Sequence, residues 1–238
     1  MSNPTPFRFK QFSVNHDRCA MKVGTDAVLL GSISGSGNPK SILEIGVGTG
    51  VVSLMLAQRF PEARITGVEI DREAWEQASE NARQSPWKDR IDFVHMSFQD
   101  FCVNQSQKYD LIVSNPPFFP NHLKSLDPKR NLALHNDTLS FGELVSGVIS
   151  LFHPFSEFWA ILPPVQMEEL EKLMVSKGLR IHTRTFIKDN PAKNILRVIL
   201  GFSFLNHAMY SKDISIKDKN GNYSKDYSEL LKEFLIIF

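Results

Sequence analysis

The sequence predicts an α/β fold: a doubly wound, mostly parallel sheet of seven strands with helices on both faces. Three observations carry this. Short apolar runs alternate with helical patterns, the first run passes straight into a loop with glycines at 46, 48 and 50, and polar residues stand where several runs end. Such alternation builds βαβ units, and ligands of these sheets bind outside the carboxyl ends of the strands, where strand order reverses.

The runs that read as strands are "SILEIG" from Ser41, "ITGVEI" from Ile65, "IDFVHM" from Ile91, "YDLIVS" from Tyr109, "EFWAILP" from Glu157, "IHTRTFI" from Ile181 and "RVILGFSF" from Arg197. Between the fourth and fifth, Phe141, Leu144, Val145, Val148, Ile149 and Phe152 recur at helical spacing behind a Ser140/Glu143 capping box. A helix carrying Leu170, Leu173 and Met174 ends near Gly178, a C-cap residue. Residues 206–238, with "KNGN" as a turn, read as a polar C-terminal appendage.

At 238 residues, 42% hydrophobic and 22% charged, the chain can bury a full core, which argues against disorder. A net charge of +1 excludes a global basic field, so any contact with nucleic acid must come from a local patch. Cys19 and Cys102 share no metal-ligand spacing and make no disulfide framework, so no metal is expected. "MSNPTPFRFK" has no apolar signal region, and no run approaches the roughly 18 apolar residues of a membrane span. A cytoplasmic protein with no membrane contact is expected.

In "LEIGVGTGVVSLMLAQRF" the glycines let the backbone turn tightly and approach a ligand, and the following helix presents its N-terminus. A dinucleotide fingerprint would want Gly or Ala three residues after the second glycine, where Val51 stands. The spacing of Glu44, Gly46, Gly48 and Gly50 instead resembles motif I of class I S-adenosylmethionine-dependent methyltransferases, and a carboxylate at Glu44 suits a cationic cofactor. Glu69, at the end of "GVEI", is placed to accept hydrogen bonds from both ribose hydroxyls of an adenosine; the plain alternative is a helix cap.

"SNPPFF", Ser114 to Phe119, ends the fourth strand on a corner that two prolines make rigid. Asn115, Pro116, Pro117 and Phe118 resemble the motif of methyltransferases that modify a nitrogen conjugated to a π-system. Such an amine is a poor nucleophile because its lone pair is delocalised. The Asn115 side-chain oxygen and the Pro116 carbonyl can hold its two N–H groups and favour a pyramidal nitrogen, while Phe118 stacks on the ring. Otherwise the stretch is a turn with an aromatic anchor.

"FRFKQFSVNHDRCAMKVGTDAVLLG", from Phe7 to Gly31, resembles the opening of the bacterial tRNA1(Val) adenine N6-methyltransferase family, and the resemblance runs on through the motifs above and, more loosely, "PKRNLALH" and "YSKDYSELLKEF". It implies a Rossmann-like class I methyltransferase domain over residues 1–238, in which 1–40 cover substrate and cofactor. It also implies S-adenosylmethionine as donor and, as substrate, the adenosine 3′ of the anticodon, position 37 of a tRNA. A monomer is expected. By the same resemblance Thr25 and Asp26 lie against the cofactor's carboxylate and the glycine loop; without it, Asp26 reads as a helix-start acid. The family pattern usually has an acid after the third strand to receive the cofactor adenine. Here Ser97 stands there, with Phe98 to pack on the ring, and Asp100 a turn later is either a second acceptor or merely solvated.

His122, Lys124, Lys129, Arg130 and His135 cluster after "SNPPFF" and read as an RNA-phosphate patch or a solvated loop. Three rivals stand beside this reading. Release-factor glutamine N5-methyltransferases share the Asn-Pro-Pro core but carry a helical domain ahead of it. Ribosomal guanine N2-methyltransferases share it in a longer tandem architecture. The third is a cofactor- or RNA-binding module without turnover.

Overall fold

The computed structural model describes residues 5–116 and 139–238. A small antiparallel pair, β1 (Phe7–Arg8) and β2 (Ser13–Val14), precedes α1 (Thr25–Ile33). Then come β3 (Ser41–Ile45), α2 (Val51–Arg59), β4 (Arg64–Glu69), α3 (Arg72–Gln84), β5 (Ile91–His95), α4 (Phe98–Asn104) and β6 (Leu111–Ser114) in strict alternation. From residue 139 onward lie α5 (Phe141–Ser150), β7 (Glu157–Leu162), α6 (Pro164–Ser176), β8 (Arg180–Lys188), β9 (Ile195–Ser203), β10 (Tyr210–Ser215) and α7 (Lys225–Leu231).

Among the described residues the main sheet has eight strands, in the order β10-β8-β9-β7-β6-β3-β4-β5, which corrects the expected count of seven. The added strand is β10. Its sequence "YSKDIS" buries only Ile214, and an edge strand need not show the apolar alternation by which the others were found. Only β9 runs against the rest, so every other strand opens its carboxyl end on one edge of the sheet. The chain passes from β3 to β4 and β5 on one side, whereas β6 pairs with the other side of β3. The β3/β6 boundary is therefore the switch point.

Strand alternation sorts the core into two layers. On β7, Trp159 and Ile161 face the layer that includes Leu29, Leu54 and Met55, whereas Phe158, Ala160 and Leu162 face the layer that includes Val148, Leu170 and Met174. Both expected helix ends are present. Ser140 Oγ accepts from Glu143 N–H at 3.3 Å while a Glu143 carboxylate oxygen accepts from Ser140 N–H at 2.9 Å. Past α6, Gly178 sits at φ +89°, with Leu179 N–H donating to Met174 O and Gly178 N–H to Val175 O, the pairing of a Schellman motif. Residues 206–238 supply β10 and α7, and Tyr227, Leu231, Phe234 and Leu235 are buried in the layer with α1 and α2. No helix among the described residues is long and apolar enough to cross a membrane.

Candidate active site

At the switch point β3 runs out into the glycine loop, with Gly46, Gly48 and Gly50 at φ +76°, +54° and +80°. A Cβ added at Gly46 or Gly48 would meet nothing within 4 Å, so packing does not demand glycine there; the left-handed backbone does. The space a side chain would fill stays open. Glu69, at the end of β4, is 8% exposed, and its carboxylate is braced on both sides: one oxygen accepts from Gly48 N–H at 2.8 Å, the other from Asp71 N–H at 2.9 Å. From the opposite side, Ser114 Oγ donates to Ile45 O at 3.0 Å and ties the end of β6 to the end of β3. Asn115 and Pro116 follow directly.

These groups enclose a cavity of about 680 Å³, lined by Gly46, Gly48, Glu69, Asn115 and Pro116. That lies within the range for a small-molecule site. Ile45, Val68, Ile70, Met96 and Phe98 supply apolar wall. Ser97 and Asp100 also line it: Ser97 Oγ accepts from Asp100 N–H at 3.0 Å as the cap of α4 and donates to an Asp100 carboxylate oxygen at 2.7 Å. Ser97 is thus committed to the cap, and the two residues present one joint polar edge.

Another part of the wall comes from the N-terminal segment, through Cys19, Ala20 and Met21. This segment is pinned to α3 by two buried amides. Asn81 accepts from Asn15 N–H at 2.9 Å and donates to Asn15 O and Thr49 O; Gln77 accepts from Arg18 N–H at 3.0 Å and donates to Asp17 at 2.6 Å. Arg18 also pairs with Glu80. The Cys19 thiol is pushed up to about 11, chiefly by burial and then by the charge of Glu69. It stays protonated at neutral pH, so no thiolate nucleophile faces the cavity.

The comparisons with known proteins converge on one family. A model of the methyltransferase small domain matches residues 20–133. A tRNA1(Val) (adenine(37)-N6)-methyltransferase of Pseudoalteromonas translucida is 42% identical over 97% of this chain and 98% of its own length. One of Phocaeicola vulgatus is 44% identical over 99% of both chains. The chain belongs to this methyltransferase family. Among solved structures, a predicted O-methyltransferase of Agrobacterium tumefaciens superposes with a TM-score of 0.67 at 16% identity, over 88% of this chain and 96% of that one. TrmN of Thermus thermophilus gives 0.54 at 14% identity, over 75% of this chain and 48% of that one. These two likenesses carry the class I methyltransferase fold alone.

Within this member of the family, Gly46, Gly48, Glu69, Ser97, Phe98, Asp100, Asn115 and Pro116 are brought to one cavity. Four other expected site residues do not line it. Thr25 is exposed at the start of α1, and Asp26 accepts from Arg197 Nε on β9 at 2.6 Å. Gly50 packs its Cα face towards Phe93 and Ala78. Glu44 is buried beneath the loop, where one carboxylate oxygen accepts from Ser53 N–H at 2.9 Å and from the Ser53 hydroxyl. Pro117, Phe118, Lys124, Lys129 and Arg130, with His122 and His135, lie outside the described residues. Cys19, Ala20 and Met21 were not expected in the site individually, and Gln77 and Asn81 were missed; polar residues on a helix gave no sign that they hold another segment.

Burial raises the Glu44 carboxyl from its ordinary range to about 8, against the pull of the Ser53 hydrogen bonds and with a further push from Glu69. The folded state thus keeps a proton that the unfolded chain has released. Its stability contribution is full below the ordinary carboxyl range and is lost as pH rises through about 8. Glu44→Gln keeps an acceptor for Ser53 and removes the ionisation. Denaturant unfolding from about pH 5 to about pH 9 should show the variant gaining on the native protein as pH rises; a difference that stays constant with pH would rule out this assignment.

Proposed function

We propose that this chain transfers a methyl group from S-adenosylmethionine to N6 of an adenine beside the anticodon, position 37, of a tRNA, with tRNA1(Val) as the substrate its relatives' names point to. The observation that carries the reading is the meeting of Asn115 and Pro116 with Glu69 and the bare glycine loop in one cavity at the switch point. The cavity fits the cofactor chemically. The Glu69 carboxylate in its wall suits a cofactor that carries positive charge and ribose hydroxyl donors, whereas Glu44 keeps its proton beneath the loop. Open space over Gly46 and Gly48 admits close backbone approach, and the apolar wall around Phe98 suits a purine.

When bound, S-adenosylmethionine supplies an electrophilic methyl group on a sulfonium. The chain's own residues then have distinct tasks. Glu69 accepts from the ribose hydroxyls with the lone pairs its backbone donors leave free. Ser97, Phe98 and Asp100 hold the adenine of the cofactor, and Cys19 to Met21 cover the site. Asn115 Oδ1 and the Pro116 carbonyl accept from the two N–H groups of the target amine, turning its lone pair towards the methyl group. One N–H proton would leave the amine as the N–C bond forms and the sulfonium S–C bond breaks, which leaves a neutral thioether. The base must leave the RNA stack to present its amine to Asn115 and Pro116.

Methyl-labelled S-adenosylmethionine with total tRNA, followed by digestion to nucleosides, tests the reading. Label in N6-methyladenosine next to an anticodon is expected; label confined to protein would refute it.

A further inference from the structure

The carboxyl edge of the sheet extends well beyond the cavity. β8 and β10 run in the same sense as β6, so the loops that follow them, residues 189–194 and 216–224, emerge on the edge that carries Asn115. In the strand order β8 lies three strands from β6 and β10 four. At about 4.8 Å per strand that is roughly 14 and 19 Å, less than one turn of a nucleic-acid duplex.

The two loops are tied together where they begin. Ile216 N–H donates to Lys188 O at 2.9 Å and Lys217 N–H to Asp189 O at 2.8 Å, which continues the β8/β10 pairing into the loops. Between them opens a cleft of about 580 Å³, lined by Asn190, Pro191, Ala192, Lys217, Lys219 and Gly221 together with Asp218. Lys193, Lys217 and Lys219 are exposed and have no carboxylate within ion-pair distance among the described residues. Two acids share these loops with the three lysines, Asp189 and Asp218, which leaves the loops with an excess of positive charge; Asp189 accepts from the Asn190 side-chain amide at 3.2 Å. One Asp218 oxygen accepts from Asn220 N–H at 2.8 Å and Asn222 N–H at 3.0 Å to hold its own turn, and Asp213 and Asp226 pair with Lys188 and Lys212. Tyr223, bridged to Lys217, is 51% exposed and lies nearly parallel to the buried Tyr227 ring, 17° between planes and 5.6 Å between centroids. It is a flat aromatic face held beside Lys217.

We infer that the 189–194 and 216–224 loops are a second RNA-contact surface, where Lys193, Lys217 and Lys219 engage backbone phosphates of the substrate RNA while its target base occupies the cavity beside Asn115. The inference rests on the proposed tRNA substrate. Its chemistry is the pairing of a near-neutral protein with a polyanion through a local patch, and Tyr223 adds a stacking face for an unpaired base. Because the patch touches neither cofactor nor target base, it sets RNA affinity and leaves the chemical step alone.

The test is charge reversal of all three lysines, Lys193→Glu, Lys217→Glu and Lys219→Glu, with the milder triple Lys→Gln variant beside it in case reversal disturbs the loops. Direct tRNA binding and steady-state methylation are measured over a range of salt concentrations. The tRNA Kd and KM should rise about tenfold or more, and the slope of log affinity against log salt should shrink by roughly 2, while kcat at saturating tRNA and cofactor affinity stay within about twofold. If the native protein methylates tRNA and both variants keep its KM and salt slope, the surface is not an RNA contact and the proposed function stands. If the native protein neither binds nor methylates tRNA, the proposed function fails and this inference with it.

Discussion

Asn115→Ala is expected to slow methyl transfer to tRNA about 10²–10³-fold while leaving fold and cofactor affinity nearly unchanged, the usual cost of removing one preorganised polar group at a reacting centre. Its position explains why the two effects separate. Asn115 follows β6 directly, and the strand end is fixed independently of it by the Ser114 hydroxyl on Ile45 O and by the β6 pairing to β3 and β7. The side chain is half-exposed and faces the cavity rather than the core, so truncation leaves no packed void. What is lost is an acceptor for the target amine, and with it the orientation of the nitrogen lone pair. Asn115→Asp sharpens the test, because a carboxylate still accepts from the amine and should retain part of the activity that Ala loses. Single-turnover methylation with saturating tRNA and cofactor reads the chemical step; a folded, cofactor-competent Asn115→Ala enzyme working at the native rate would overturn the role given to Asn115.

The residues that were legible in the sequence act through local geometry. A left-handed loop needs glycine, so Gly46 and Gly48 announce themselves; Glu69 ends one strand and Asn115 directly follows another; Ser140 and Glu143 form a box within one helical turn. What sequence hid depends on partners distant along the chain. Gln77 and Asn81 sit in a helix whose buried face is made of alanines and these two amides, and nothing local says that their partners are Asn15, Asp17, Arg18 and Thr49. Asp26 matched a family segment, yet Arg197, 171 residues away, takes its carboxylate. Glu44 was expected in the site as a charge, but on a central strand its side chain points under the loop to Ser53. β10 hid for a different reason: an edge strand with one buried residue has too little apolar pattern to register.

Glu69→Ala should weaken cofactor binding by about 1.5–3 kcal/mol, the range for hydrogen bonds to a charged group, which is about 10- to 150-fold in Kd. Two losses are folded into that figure. The carboxylate is placed for the ribose hydroxyls, and it also holds Gly48 N–H and Asp71 N–H, so its removal frees the loop as well as the ligand. Glu69→Gln is not the conservative change it resembles, because its amide nitrogen would have to face one of these two backbone donors. It should lose nearly as much as Ala. The two contributions separate in a double-mutant cycle, with calorimetry on the native protein and Glu69→Ala using S-adenosylhomocysteine and its 2′-deoxy analogue. If Glu69 accepts from the ribose, the native protein discriminates against the deoxy analogue and the variant does not. Equal discrimination by both would mean that Glu69 only braces the loop, and the ribose would need another partner in the cavity.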